Sequence, residues 1–235
     1  MSFLLMLAAI VVGQSNDISH YLQADLRDAT FTARVVRAYH RELEKINTDF
    51  GATYRFGTTT IHLKEPFMLR IDAKVEDTTL MYVMNGPIQL LRIPRAGIKQ
   101  RIDLSLSPGR RQTVFDFGLL TPSLFDNLYQ ARFVRMDRAT GDPVFDMTYI
   151  PSLKDKSRSR IWIDPVHHII VKREWYAQDG HQEATFLYTD PTEDNGVWLP
   201  TQLEVKNIDD VVAGVTRYES IKVNEGVPDS LFATH

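Results

Sequence analysis

The sequence predicts a mainly β (α+β) protein of one domain, with an antiparallel sheet laid down hairpin by hairpin. Three observations carry this. Runs rich in β-branched and aromatic residues recur at similar length, as at 161–163, 169–176 and 184–188. Between them stands turn chemistry: Asp164-Pro165, Asp179-Gly180, Asn85-Gly86 and Thr140-Gly141-Asp142. Within the runs, side chains alternate between apolar and polar, which is the period of a strand with one buried face. Strands of like length joined by Gly, Pro and Asp turns suit a barrel or a sandwich.

In chain order, residues 3–12 form a ten-residue apolar run, too short to span a bilayer. It suits the apolar core of a secretory signal covering 1–13, although only Met1 and Ser2 precede it and no positive residue does. Residues 14–235 then form a single domain. Ile18, Tyr21, Leu22 and Leu26 have helical spacing over 18–28. Residues 31–39 alternate as a strand; the rival is one long helix through Lys45, on which Arg34, Arg37, Arg41 and Lys45 would align. The Thr- and aromatic-rich stretch 51–64 reads as strand. Phe67, Leu69, Ile71 and Ala73 face one way, and Met68, Arg70 and Asp72 the other. Asn85-Gly86 between 80–84 and 88–93 is a strong hairpin signal, because both residues tolerate positive φ. A strand over 98–106 and a turn at Gly109-Arg110-Arg111 follow. The one clear internal helix comes next, with Thr121 as cap and Pro122 at its first position. Leu124, Phe125, Leu128 and Tyr129 share its apolar face. Strands resume at 131–136. In the next strand Phe145, Met147 and Tyr149 alternate with Val144, Asp146 and Thr148. The hairpin 161–176 and strands at 184–188, 197–205 and 214–223 complete the chain.

The function classes narrow by elimination. A net charge of −3 lacks the basic excess of a nucleic-acid binder. The absence of cysteine excludes disulfides and thiolate sites. His167 and His168 are strand neighbours that point to opposite faces, so they do not share a metal. The acidic loop 190–196 places Asn195 and Thr201 where a calcium loop needs Gly and Glu. No nucleophile elbow, phosphate loop or dinucleotide fingerprint occurs. We therefore assign no catalytic residue, metal or cofactor. Lys154, Lys156, Arg158 and Arg160, spaced by two, project to one face of an extended chain. They suit either a basic ladder for lipid headgroups or an acidic partner, or a charged edge strand protected against pairing.

Several motifs, in order, resemble the outer-membrane lipoprotein-sorting family, the LolA, LolB and RseB relatives. They are Trp162-Ile163-Asp164-Pro165, Lys172-Arg173-Glu174, Asp179-Gly180, Gly196-Val197-Trp198-Leu199-Pro200 and Pro228-Asp229-Ser230-Leu231-Phe232. The resemblance spans roughly residues 18–235. It implies a half-open, unclosed antiparallel barrel of about eleven strands around an apolar cavity, with a few lid helices at the mouth. On that reading Phe67, Leu69, Ile71, Phe145, Met147 and Tyr149 line a lipid cavity, and Leu124, Phe125, Leu128 and Tyr129 belong to a lid helix. It also implies a soluble periplasmic carrier without enzymatic activity. The partners would be lipid or lipoprotein acyl chains and envelope transport proteins, with no transmembrane span. The alternative is an envelope stress sensor or protein-interaction module of the same fold without lipid cargo. One departure stands out: Glu65 occupies the place before Pro66 where the carriers have an arginine that latches the lid. A carboxylate accepts hydrogen bonds and cannot donate as a guanidinium does.

Overall fold

A computed structural model describes residues 15–75 and 77–235; the expected signal, 1–13, lies outside the described residues. Thirteen strands form one sheet: β1 (Asp28–Ala38), β2 (Thr58–Lys64), β3 (Met68–Val75), β4 (Thr78–Asn85), β5 (Ile88–Ile93), β6 (Ile98–Asp103), β7 (Tyr129–Met136), β8 (Pro143–Tyr149), β9 (Arg158–Asp164), β10 (Ile169–Tyr176), β11 (Gln182–Asp194), β12 (Val197–Lys206) and β13 (Val212–Val223). The order is β6-β5-β4-β3-β2-β1-β13-β12-β11-β10-β9-β8-β7. Two antiparallel meanders, β1–β6 and β7–β13, are thus joined where β1 pairs with β13, from Ala29 opposite Val223 to Ala38 opposite Gly214. β6 and β7 are the free edges, and the sheet is not closed into a barrel. This is the half-open architecture. Among the described residues three short α-helices accompany it: α1 (His40–Glu44), α2 (Thr48–Thr53) and α3 (Ser123–Asn127).

Most strand expectations hold, including 31–39, which is β1 rather than a long helix. Four local readings are corrected. Only Ile18–Tyr21 of the first predicted helix forms, as one 3₁₀ turn capped by Asp17; beyond it the Gln23 amide donates to the Leu120 carbonyl at 2.7 Å, so a tertiary bond replaces the next helical one. The first part of 51–64 lies in α2, because the Asn47 side chain accepts from the Phe50 amide and caps a helix there. Phe67 sits in the turn after the cis Glu65-Pro66 bond, at φ 56°, and not on β3. The β4–β5 loop is Gly86-Pro87, one residue later than expected, with Gly86 at φ 55°.

The period-2 pattern gives the sheet two faces. The main core gathers Phe31, Leu63, Leu69, Phe145, Met147, Ile161, Ile163, Phe186 and Tyr188 from strands of both meanders on the concave face. A smaller cluster lies on the outer face of β3–β5, where Val83 and Leu90 are covered by Val227 and Phe232 of the C-terminal segment. That segment is tied down as a strap. Arg70 donates to the Leu231 carbonyl at 3.2 Å, Asn85 to the Phe232 carbonyl at 3.1 Å, and Lys64 to the Val227 carbonyl at 2.8 Å.

Candidate functional site: the segment across the concave face

The connection between the two free edges, residues 104–128, does not run outside the sheet. Val114, Phe115, Phe117, Leu119, Leu120, Leu124 and Leu128 are all buried in the main core. Phe117 packs on Phe31 of β1 and Tyr218 of β13, with ring centroids 5.4 and 6.0 Å apart. Phe115 packs on Tyr129 of β7 at 5.2 Å. The segment therefore touches both halves of the sheet and fills the space between them. Local chemistry shapes it. The Thr113 hydroxyl accepts from the Phe115 amide, and the Asp116 carboxylate accepts from the Thr113 amide at 3.0 Å, a reciprocal capping box around a 3₁₀ turn. Gly118 then turns the chain at φ 81°; a Cβ there would stand 2.9 Å from the Tyr188 ring. Beyond it, Leu119 bridges Ile169, and Ile170 donates to the Gly118 carbonyl at 2.8 Å.

Two groups of side-chain contacts, around Asp116 and at Glu65, add to these backbone bonds in fastening the segment. Arg173 is a charged residue at an inward position of β10, between Val171 and Trp175, both packed on the core. Its guanidinium donates to Asp116 at 2.8 Å and to the Ser159 hydroxyl at 3.1 Å, and lies over the rings of Phe115 (4.4 Å) and Phe186 (5.0 Å). The Tyr188 hydroxyl donates to the Asp116 carbonyl at 3.2 Å. Burial works against the Arg173 charge, but Asp116, Tyr188 and Tyr129 outweigh it and raise its pKa above the ordinary guanidinium value. Burial also pushes the Tyr149 phenol up to about 12 and the Tyr129 phenol well above 10; their hydroxyls lie 3.2 Å apart.

The second contact is at Glu65. Its carboxylate accepts from the Thr121 hydroxyl at 3.2 Å and from the Ser123 hydroxyl. Burial raises its pKa against the pull of these two hydrogen bonds. Glu65, in the β2–β3 turn, thus accepts while the segment donates, the opposite polarity to a guanidinium at that position.

The ten residues named from sequence all belong to the main core or pack against it. Leu69, Leu124, Leu128, Tyr129, Phe145 and Met147 are buried in the main core, and Phe67, Ile71, Phe125 and Tyr149 pack against it. The predicted helix is corrected in extent. α3 is a single turn, Tyr129 is the first residue of β7, and Thr121 does not cap the helix, whose N-cap position falls on Pro122; the Thr121 hydroxyl donates to Glu65 instead. The basic ladder is also corrected. β9 is an interior strand between β8 and β10, so its charges protect no edge. Lys154 and Lys156 precede it. On the outer face Arg160 and Arg132 each hold the buried Asp146 carboxylate at 2.8 Å and Arg158 at 3.5 Å, around a shallow depression of about 450 Å³. A neighbouring one of about 490 Å³ includes Trp162, Lys172 and Glu174. His167 hydrogen-bonds Asp164 at 2.5 Å and packs on Trp198. Among the described residues no cluster of three or more His, Asp or Glu is placed to hold a metal, and no helix is long and apolar enough to cross a membrane. Sequence reasoning missed the Arg173–Asp116 pair. The signal was present: a lone charge at an inward position of an otherwise apolar face.

No curated protein matches the chain. Solved structures do. The chain is similar to a LolA superfamily protein from Nitrosomonas europaea, with a TM-score of 0.61, 16% identity, and coverage of 93% of this chain and 95% of that one. A DUF1329 family protein from Desulfovibrio piger superposes with a TM-score of 0.56 at 9% identity, covering 92% of each chain. A domain assigned to outer-membrane lipoprotein sorting in Vibrio parahaemolyticus does so with a TM-score of 0.54 at 13% identity, also covering 92% of each. Residues 113–235, more than half the chain, match the sequence profile of a family described as "Uncharacterized protein". The chain belongs to that family, and its fold is the LolA-like, half-open barrel.

Proposed function

We propose that this protein is an exported, non-enzymatic carrier that takes acyl chains of a lipid or lipoprotein into the apolar interior of the half-open sheet and transfers them across the cell envelope. The observation that carries this is the apolar segment 113–128, which lies between the two halves of an unclosed sheet and belongs to the connection that joins the two free edges. An acyl chain enters by exchanging with it. The magnitudes allow this. Seven buried apolar side chains of the segment contribute about 2 kcal/mol each, about 14 kcal/mol in all, and a sixteen-carbon chain gains about 12 kcal/mol at 0.8 kcal/mol per methylene. Near balance is what loading and release both require. Release is driven by an envelope partner that binds the open form better, since a partner shifts the equilibrium only by its differential affinity.

The test is organic extraction and mass spectrometry of the protein purified from its native envelope fraction. A stoichiometric acylated species is expected, with added lipid raising the melting temperature of the stripped protein. A lipid-free protein that gains no thermal stability from lipid overturns the carrier and leaves a protein-binding module of the same fold.

A further inference from the structure

We infer that Arg173 is the anchor for the carboxylate of a single-chain fatty acid, and that the protein's own Asp116 holds that place until the acid arrives. This rests on the carrier reading and gives it a chemical class of cargo.

The argument starts from the cost of a buried charge. Arg173 lies at the floor of the apolar face with its side chain 12% exposed, between the rings of Phe115 and Phe186. Its ion-pair partner is Asp116, at 2.8 Å. That partner is on the displaceable segment and not on the sheet. So are the groups that position it: the Thr113 amide that donates to its other oxygen, and Gly118, which ends its turn. When the segment swings away, all of these leave together. Arg173 then keeps only neutral hydroxyls of the sheet, those of Ser159 on β9 and Tyr188 on β11. A guanidinium stripped of its counter-charge in an apolar site is strongly disfavoured. A neutral acyl chain fills the vacated volume and leaves that charge unpaired. An acyl chain ending in a carboxylate restores the pair with the same chemistry that Asp116 supplies.

The geometry also selects the head. Arg173 is paired one-to-one with a carboxylate, so the place it offers is for one negative charge. A phosphate dianion would bring a second charge with no second cation fixed to the sheet beside it. Arg111 does not provide one, because its guanidinium is spent on the carbonyls of Leu104 and Ser105 in the segment and moves with them. The Asp116 side chain is 32% exposed, so water and an entering head reach the pair from outside before the rest of the segment shifts. Entry by head exchange followed by insertion of the tail avoids an unpaired intermediate.

The experiment titrates the stripped full-length protein with cis-parinaric acid, a fluorescent eighteen-carbon carboxylate, and with its methyl ester. The acid is expected to bind about tenfold to a hundredfold more tightly than the ester, the range for a hydrogen-bonded charge pair. Asp116→Asn removes the internal partner that either probe must displace, so acid and ester should both tighten while the preference for the acid is kept. Arg173→Met should reduce the acid to the affinity of the ester. If either variant fails to fold, the wild-type ratio decides alone. Equal affinity for acid and ester overturns the anchor and leaves the carrier standing; binding of neither probe overturns both.

Discussion

At the scale of single residues, two positions show how one group is set by two neighbourhoods. Glu65 is placed by the sheet and read by the segment. Its pKa is raised above the ordinary 4.5, with burial as the main cause. A raised pKa means that protonation stabilises the folded state: the contribution is complete below about 4.5 and is lost as pH rises through the folded value. Glu65→Gln keeps an acceptor for the hydroxyls of Thr121 and Ser123 without the charge. The stability of the variant relative to the wild type should therefore grow as pH is raised from 4 and then level off, read from denaturant midpoints at each pH. A difference that is flat with pH would show that the carboxylate is not penalised by burial. Gly118 is the other position. Any side chain there meets both a positive φ and the ring of Tyr188 at 2.9 Å. Gly118→Ala should cost about 1–3 kcal/mol in chemical denaturation, and no measurable loss would mean that the turn relaxes freely.

At the scale of elements, the C-terminal strap explains a motif that composition could only mark. In the sequence Pro228 to Phe232 is marked only by the family resemblance, and Asp229–Phe232 forms a 3₁₀ turn. Its purpose appears only in contact: Phe232 is fully buried against Val83 and Leu90 on the outer face of β3–β5. Phe232→Ala should destabilise by about 3–5 kcal/mol, as for a core aromatic. Deleting 225–235 should expose the Val83–Leu90 patch to a hydrophobic dye. A truncated protein with unchanged midpoint and no dye binding would show the strap to be dispensable. The charged outer face of β7–β9 follows a different rule. Asp146 is buried beneath Arg132, Arg158 and Arg160, and burial, which raises its pKa, is outweighed by the arginines, which lower it. Its stabilising effect is thus present above about 3.8 and fades as pH falls through the depressed folded value.

At the scale of the molecule, neither meander owns a core. Phe117 bridges β1 and β13, and Phe115 reaches β7, so the segment 104–128 makes one apolar body of two half-sheets. Unfolding should therefore show a single transition, with near- and far-ultraviolet circular dichroism superimposing. Two resolved transitions would mean that the meanders fold separately. The carrier proposed above uses the same construction, because the filling is chain that is covalently tied at the sheet's two free edges.

The sequence by itself determined what local chemistry decides: antiparallel strands from alternation, their ends from Gly, Pro and Asp turns, and the apolar identity of Leu69, Phe145, Met147 and their neighbours. Motif order also pointed to the half-open LolA-like fold. Tertiary structure alone decided the rest. Backbone bonds to distant parts of the chain, Gln23 to Leu120 and Tyr129 to Tyr149 of β8, cut the helix at 18–28 to one turn and α3 to another, because short helices are marginal and any competing partner ends them. Strand order decided that β9 is interior and its arginines surround Asp146. The pairing of Asp116 with Arg173, and of Glu65 with Ser123, joins residues 57 and 58 positions apart, and neither pattern nor propensity carries information over that separation. Periodicity reports which face a side chain takes; only the folded sheet reports what it meets there.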